Sequence, residues 1–411
     1  MRLPPPHGQF HLTYCTNIHP GVGWDAVFGN LKQFAPPLKA RFSPGDPFGI
    51  GLRISAREAR ELLEHGRLEE LRAFLDEHGL YVALINGFPH GPFHGTVVKA
   101  EVYAPDWRDE ARVRYTDDLI EILRRLLPEA IDGGISTAPL SYKPWMSGAD
   151  REGWQAITRN IVRIAETLVR VEQSDGRVIH LDIEPEPDCS LENTDETIDF
   201  FEGRLLPEGA PLLARALGIE EGTARAQLLE HVRVCLDCCH FAVEYEDAAG
   251  SMERLAEAGI RIGRVQLSSA LRVTFPTEPA RCGETARRLR PFADRVYLHQ
   301  VVEKDGGTLR RYPDLDDALL RADDACSKEW RIHFHVPLFT DRYDRLESTQ
   351  DYVREVLRTA LRTAATRHFE IETYTWDVLP AGLKRDLLDS IAREYEWVLS
   401  NINSESRIPN P

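Results

Sequence analysis

The stretch VIHLDIEPEPD, residues 178–188, is a short apolar run that ends in a carboxylate, Glu184, at the edge of a proline-rich turn. Three more runs share that form: RVCLDCCH (233–240), RIHFHVPLF (331–339) and HFEIETYTW (368–376). They end in Asp237 with His240, in His335, and in Glu372. Each reads as a buried parallel strand. In a closed barrel of parallel strands the C-terminal ends converge on one mouth, so side chains far apart in sequence are delivered to a single pocket.

Working outward, strands and amphipathic helices alternate along the chain, which argues for an α/β fold with a parallel sheet. The strand candidates are HLTYCTNI (11–18), FGIGLRI (48–54), LYVALINGF (80–88), DGGISTAPL (132–140), VIHLDIEP (178–185), the run through RVCLD (to 237), IGRVQLSSA (262–270) and HFEIETYT (368–375). Eight strands with helical patterns between them are what a (β/α)₈ TIM barrel needs. Ser55 and Glu58 have the spacing of a helix capping box, ahead of a stripe of leucines. Two further strand-like runs, RVYLHQVVEK (295–304) and WRIHFHVPLF (330–339), fall between the seventh and eighth strands, and DGG followed by TLRRY reads as a hairpin turn. Residues 294–340 are therefore expected as an insertion over the C-terminal mouth; the alternative makes WRIHFHV a barrel strand. The expected organisation is one barrel domain over residues 1–403, with a frayed tail at 404–411.

Composition bounds the partners. The 411 residues carry a formal net charge of −16, which repels phosphate backbones and argues against nucleic acid. MRLPPPHGQFHLTY has neither a basic leader nor an apolar h-region, and no apolar run is long enough to span a bilayer, so direct membrane insertion is not expected and the cytoplasm is the expected address. Seven cysteines without a regular framework suit reduced thiols. Cys235, Cys238 and Cys239 lack a second C-x-x-C and read as small hydrophobes rather than a zinc site.

Glu184, Asp237 and Glu372, with Gln266 from the seventh strand, form the expected metal site, because carboxylates so close raise one another's pKa unless a cation lies between them. Three carboxylates with a neutral donor suit Mn²⁺, Mg²⁺ or Zn²⁺, and an added imidazole favours a transition metal. His240 lies one turn beyond Asp237, and His333 and His335 share one face of an extended run. These three histidines are candidates for a second metal or for substrate; the plainer reading has them line a pocket without metal. Asn17, His19, Arg53, Asn86, His90, Lys143 and Trp145 follow the other strand ends and form a candidate wall for a polyhydroxylated small-molecule metabolite. Asn17 and Asn86 would otherwise only cap turns. No phosphate-binding glycine loop and no G-x-S-x-G elbow is present.

In chain order, Glu184, the D-x-x-H of Asp237 and His240, Gln266 and Glu372 resemble the xylose isomerase-like TIM barrels, a superfamily of sugar isomerases, sugar phosphate epimerases and metal-dependent endonucleases. The resemblance implies a metal-assisted proton transfer through an enediolate, with Glu184 and Glu372 as acid and base and His240 orienting substrate or ligand. This chain has Gln266 where the isomerases and epimerases usually have histidine, a departure that bears on metal identity and affinity. HLTYCTNIHPG, INGFPHG, LDIEPEPD, LDCCH and FHVPLF are also similar to metabolite-traffic proteins, which implies a role in a metabolite export pathway beside other proteins of that pathway. Two other classes stay open: a metal-dependent phosphoester hydrolase, with His240, His333 and His335 forming a second metal site beside Asp237 and Glu184, and a noncatalytic metabolite carrier.

Overall fold

The apolar runs become eight parallel strands in the computed structural model, which describes residues 1–405 apart from 95–96, 148, 381–383 and 385. They are β1 His11–Tyr14, β2 Phe48–Arg53, β3 Leu80–Asn86, β4 Gly133–Thr137, β5 Ile179–Ile183, β6 Val232–Asp237, β7 Ile262–Leu267 and, last in the chain, β14 His368–Ile371. The sheet runs β1-β14-β7-β6-β5-β4-β3-β2, and its two edges meet through a parallel bridge between Cys15 and Gly51. A parallel sheet closed in this way, with helices between the strands, is a (β/α)₈ barrel.

Strand alternation fills the barrel with an unusual lining. Along β5 the apolar Leu181 and Ile183 alternate with His180, Asp182 and then Glu184, and β14 repeats the pattern with His368, Glu370 and Glu372. Successive side chains on a strand take opposite faces, so the polar set of each strand lies inside. The buried Arg264 of β7 shows this: its guanidinium pairs with Asp182 and Glu370, both at 3.0 Å, and reaches across the barrel to the Ile85 carbonyl at 3.2 Å. Room for these groups comes from missing side chains. A Cβ on Gly263 would lie 1.9 Å from Asp182 Oδ1, and one on Gly51 would lie 1.7 Å from Glu370 Oε1. An alanine at either position would collide with the charged layer.

Outside the barrel, Ser55 and Glu58 form the reciprocal capping box at the head of the helix Ala56–Leu63. The last helix, Leu387–Glu405, takes in the first residues of the expected tail, and 406–411 lie outside the described residues. No helix among the described residues is long and apolar enough to cross a membrane.

Between β7 and β14 stands a second, antiparallel sheet: β8 Ser269–Thr274, β9 Val301–Asp305, β10 Thr308–Tyr312, β11 Glu329–Val336, β12 Arg342–Tyr343 and β13 Leu346–Ser348, in the order β10-β9-β11-β8-β13-β12. WRIHFHV is thus β11 of this sheet and not a barrel strand. The DGG turn joins β9 to β10, with Gly306 at φ 57°. The inserted sheet begins at Ser269, well before residue 294, because IGRVQLSSA runs from β7 into β8 with no glycine or proline to mark the boundary. A disulfide joins Cys282 to Cys326, where the helix Pro279–Leu289 and the turn Ala322–Ala325 bring their Cα atoms to 5.8 Å. This corrects the expectation of seven reduced thiols. The other five cysteines are free and buried.

Candidate metal centre

Glu184, at the end of β5, Asp237, at the end of β6, and Glu372, just beyond β14, turn their carboxylates to one point, with ligand oxygens within 4.8 Å of one another. Burial pushes the Glu184 and Glu372 carboxyls well above their usual range, and each is raised further by Asp237; Glu184 also raises Glu372. Arg264, the nearest buried cation, is engaged one layer down by Asp182 and Glu370.

Asp237 is held through one oxygen and Glu372 through both, while one oxygen each of Asp237 and Glu184 is left open. Asp237 Oδ1 accepts from the backbone N–H groups of Cys239 (2.7 Å) and His240 (3.0 Å) and from the Ser268 hydroxyl (2.7 Å), capping the helix Cys238–Val243. Its Oδ2 has no protein partner, nor has Glu184 Oε2. Glu372 Oε1 accepts from Asn17 Nδ2 at 2.6 Å and Asn86 Nδ2 at 3.1 Å, and Oε2 accepts from Gln266 Nε2. Gln266 Oε1 in turn accepts from the Cys235 thiol, so the glutamine expected as a metal ligand points its amide nitrogen at the carboxylates and positions Glu372.

The three histidines are arranged alike. His240 Nδ1 faces the Pro185 carbonyl at 3.0 Å, His335 Nδ1 the Glu372 carbonyl at 2.6 Å, and His333 Nδ1 faces Gln300 Oε1 at 2.7 Å. The Gln300 amide is fixed in turn, because its Nε2 donates to the Pro187 carbonyl at 2.9 Å. All three partners are acceptors only, so each Nδ1 carries the proton and each Nε2 presents a lone pair. The Nε2 atoms of His240 and His333 stand 3.2 Å apart, and that of His335 has no hydrogen-bond partner. Burial holds the imidazoles of His333 and His335 neutral, His335 down to about 4. The open nitrogen of His335, with Nε2 of His240 and with Nε2 of His333, which also faces the Tyr374 hydroxyl at 3.4 Å, forms beside two open carboxylate oxygens a donor set for a transition-metal dication.

Overlapping triads divide this set. Glu184, Asp237 and Glu372 form one; Asp237, His240 and His335 a second; Glu186, His240 and His333 a third; Cys239, His333 and His335 a fourth. Cys239 lies in the helix after β6 and not in an apolar strand, which brings it among these ligands. Glu186, two residues beyond Glu184, accepts from the Tyr103 hydroxyl at 2.6 Å and was missed by the strand-end pattern because it falls in the turn.

Of the expected wall residues, Asn17 and Asn86 line the mouth cavity together with Tyr103, Tyr297 and Tyr374. The others lie elsewhere. His19 is stacked on Phe34 at 4.3 Å and faces the Tyr14 hydroxyl. Arg53 turns to Glu58 (3.5 Å) and the Gly91 carbonyl (2.6 Å). His90 packs edge-on against Tyr115, and Trp145 against Tyr142. Lys143 pairs with Glu192 and Glu196, both at 2.8 Å, beside an outer cleft. Their partners are local, and a strand-end position alone does not say which way a side chain turns.

No family model matches the chain, and no curated protein does. Among solved structures it is similar to a D-tagatose 3-epimerase-like protein, at 10% identity over 96% of this chain and 98% of that one with a TM-score of 0.48. It is also similar to the IolI protein with a binding zinc atom (12% identity, 97% and 100% covered, TM-score 0.45) and to a xylose isomerase domain containing protein from Salmonella typhimurium (13%, 97% and 98%, 0.42). The assignment of the fold rests on the strand order and closure described above.

Proposed function

We propose that the protein is a metal-dependent isomerase or epimerase acting on a small polyhydroxylated metabolite. The observation that carries this is the inward turn of three imidazole lone pairs beside the open oxygens of Glu184 and Asp237. Lone pairs 3.2 Å apart repel unless a cation or proton lies between them. Asp237, His335, Glu184 and Glu372 would hold the cation, Mn²⁺ or Zn²⁺ before Mg²⁺ because of the imidazole. A divalent cation bound there supplies Lewis acidity, lowering the cost of negative charge on a substrate oxygen.

The chain's own groups do the rest. Glu184 takes the proton from the carbon between a carbonyl and a hydroxyl; the C–H electron pair forms the enediolate double bond, and the charge moves to the former carbonyl oxygen. Glu372, fixed by Asn17, Asn86 and Gln266, returns a proton to carbon. The unpartnered Oδ1 atoms of Asn17 and Asn86 accept from substrate hydroxyls. We further propose, from the resemblance of HLTYCTNIHPG and its companion motifs to metabolite-traffic proteins, that this reaction serves a metabolite export pathway and takes place in the cytoplasm.

The Glu186, His240 and His333 triad favours a second reading, a phosphoester hydrolase using two cations. Deuterium exchange separates the two. Metal-loaded protein incubated in D₂O with a panel of aldoses and ketoses should place deuterium on the carbon beside the carbonyl, and Glu184→Gln should abolish this while the variant folds normally. Absence of exchange together with cleavage of a phosphodiester would give the site to the hydrolase reading. Metal-dependent ligand binding with neither reaction would make the protein a carrier.

A further inference from the structure

The polar lining of the barrel continues to its N-terminal end, where it does something the mouth chemistry does not need. Asp132, just before β4, His180 of β5 and His368 of β14 bring ligand atoms within 4.8 Å of one another at the floor of the barrel. His368 Nε2 lies 3.2 Å from Asp132 Oδ1, and His180 Nε2 lies 3.7 Å from Asp132 Oδ2. Ligand atoms about 2.1 Å from a tetrahedral zinc are about 3.4 Å apart, and each imidazole nitrogen lies near that distance from one of the two Asp132 oxygens.

Supporting groups are in place as well. His180 Nδ1 sits 2.5 Å from Asp182 Oδ1, and Asp182 is anchored by Arg264. A carboxylate behind one ring nitrogen directs the other nitrogen outward as a ligand. That other nitrogen, Nε2, is fully buried without a hydrogen-bond partner, as is Nδ1 of His368. Arg233 fixes Asp132 Oδ2 at 3.0 Å, but it shares its charge with Glu230 at 2.9 Å. Burial, reinforced by Arg233, keeps His180 neutral, down to about 4. Asp132 also lines a cleft of about 580 Å³ at the barrel base, bordered by Glu129, Glu230, Arg233, Arg261 and Arg367, so the carboxylate side of the cluster faces solvent.

We propose that Asp132, His180 and His368 form a second metal site for a divalent transition cation at the floor of the barrel, separate from the mouth. Two neutral imidazoles and one carboxylate match zinc, cobalt or ferrous iron and are poor ligands for Mg²⁺ or Ca²⁺. The site joins His368 of β14 to His180 of β5 and to Asp132 at the foot of the neighbouring β4, so its occupation would tie β14 to the β4–β5 pair across the base of the barrel.

The test uses Co²⁺ on chelator-stripped full-length protein, with metal per chain counted and visible absorption recorded. Asp237→Asn/His240→Gln/His333→Gln breaks every mouth triad. That triple variant should retain one Co²⁺ per chain with the intense bands of a tetrahedral site. Adding Asp132→Asn or His368→Gln should weaken the remaining affinity by about tenfold or more. In the otherwise intact chain, Asp132→Asn alone should lower the count by one, a reading that does not depend on the triple variant folding. A parent chain holding a single Co²⁺ that Asp132→Asn removes would sustain the floor site and sink the mouth. A triple variant with no Co²⁺, or a count indifferent to Asp132→Asn and His368→Gln, would reduce the floor cluster to a structural ion-pair plug.

Discussion

At the scale of single residues, the mouth turns on which atom each side chain presents. Gln266 is the informative case. It sits beside Asp237 and Glu370 in the sheet register, deep enough to touch the carboxylates, yet it donates to Glu372 and accepts from Cys235. A glutamine amide is a weak neutral oxygen donor, whereas an imidazole suits zinc. Gln266→His should therefore tighten Zn²⁺ at the mouth by roughly tenfold or more, on the scale set by changes to supporting groups at metal sites. The affinity is read by competition with a chromophoric chelator in the Asp132→Asn background, which removes the floor from the count. Unchanged or weaker binding would mean that holding Glu372 is worth more to the site than another ligand. That Glu184, Asp237 and Glu372 meet was readable from their strand-end positions. The direction of Gln266 was not, since it depends on a thiol one strand away.

At the scale of elements, the inserted sheet is joined to the barrel by a buried acid. Glu394, on the last helix, accepts from the Leu338 backbone N–H at 3.1 Å and from the Thr373 hydroxyl at 2.6 Å, linking the loop after β11 to the segment after β14. Burial raises its carboxyl to about 8, against an ordinary value of 4.5. Between these values the folded chain holds a proton that the unfolded chain has lost, so this contribution to stability is full below about pH 4.5 and falls as pH rises to about 8, by at most about 1.4 kcal/mol per unit. Glu394→Gln keeps an accepting oxygen and carries no charge. Its melting temperature should match the parent near pH 5 and exceed it at pH 8, and parallel curves across that range would show that the carboxyl titrates normally. Elements were legible where periodicity was strong: eight strands, the capping box at Ser55, the hairpin at Gly306. The start of the insertion was not, because Ser268 and Ser269 join β7 to β8 without a breaker. Nor was the charged lining, because apolar residues that face the helices alternate with His180, Asp182, His368 and Glu370 and make those strands read as simply buried.

At the scale of the whole molecule, the mouth is narrow. The cavity among the described residues is about 60 Å³, room for about two waters, whereas a sugar-sized ligand takes a pocket of roughly 300 Å³ or more. Turnover thus requires the cover to move. Among the closing contacts, Val98 and Lys99 donate their backbone N–H groups to the Val296 carbonyl at 2.8 and 3.0 Å, the Lys99 ammonium reaches the Asp294 carbonyl at 3.1 Å and Asp314 at 2.5 Å, Tyr297 meets His94 at 2.8 Å, and Gln300 donates to the Tyr103 hydroxyl at 2.9 Å. Both segments border the cavity, and the turn Lys99–Tyr103 carries the hydroxyl that holds Glu186. Contacts made by partly exposed groups at the edge of a structure open locally, at a lower free energy than global unfolding. The amides of Val98 and Lys99 should then exchange with deuterium faster than those of β6. Lys99→Ala should speed them several-fold further while leaving the melting temperature nearly unchanged, since it removes a latch and not a core contact. Amides at 98 and 99 that exchange only as slowly as those of Val234 and Leu236, with or without the lysine, would mean that the cover lifts only when the barrel unfolds. The mouth would then admit a cation and water and nothing larger, and the sugar chemistry proposed for it would have no way in.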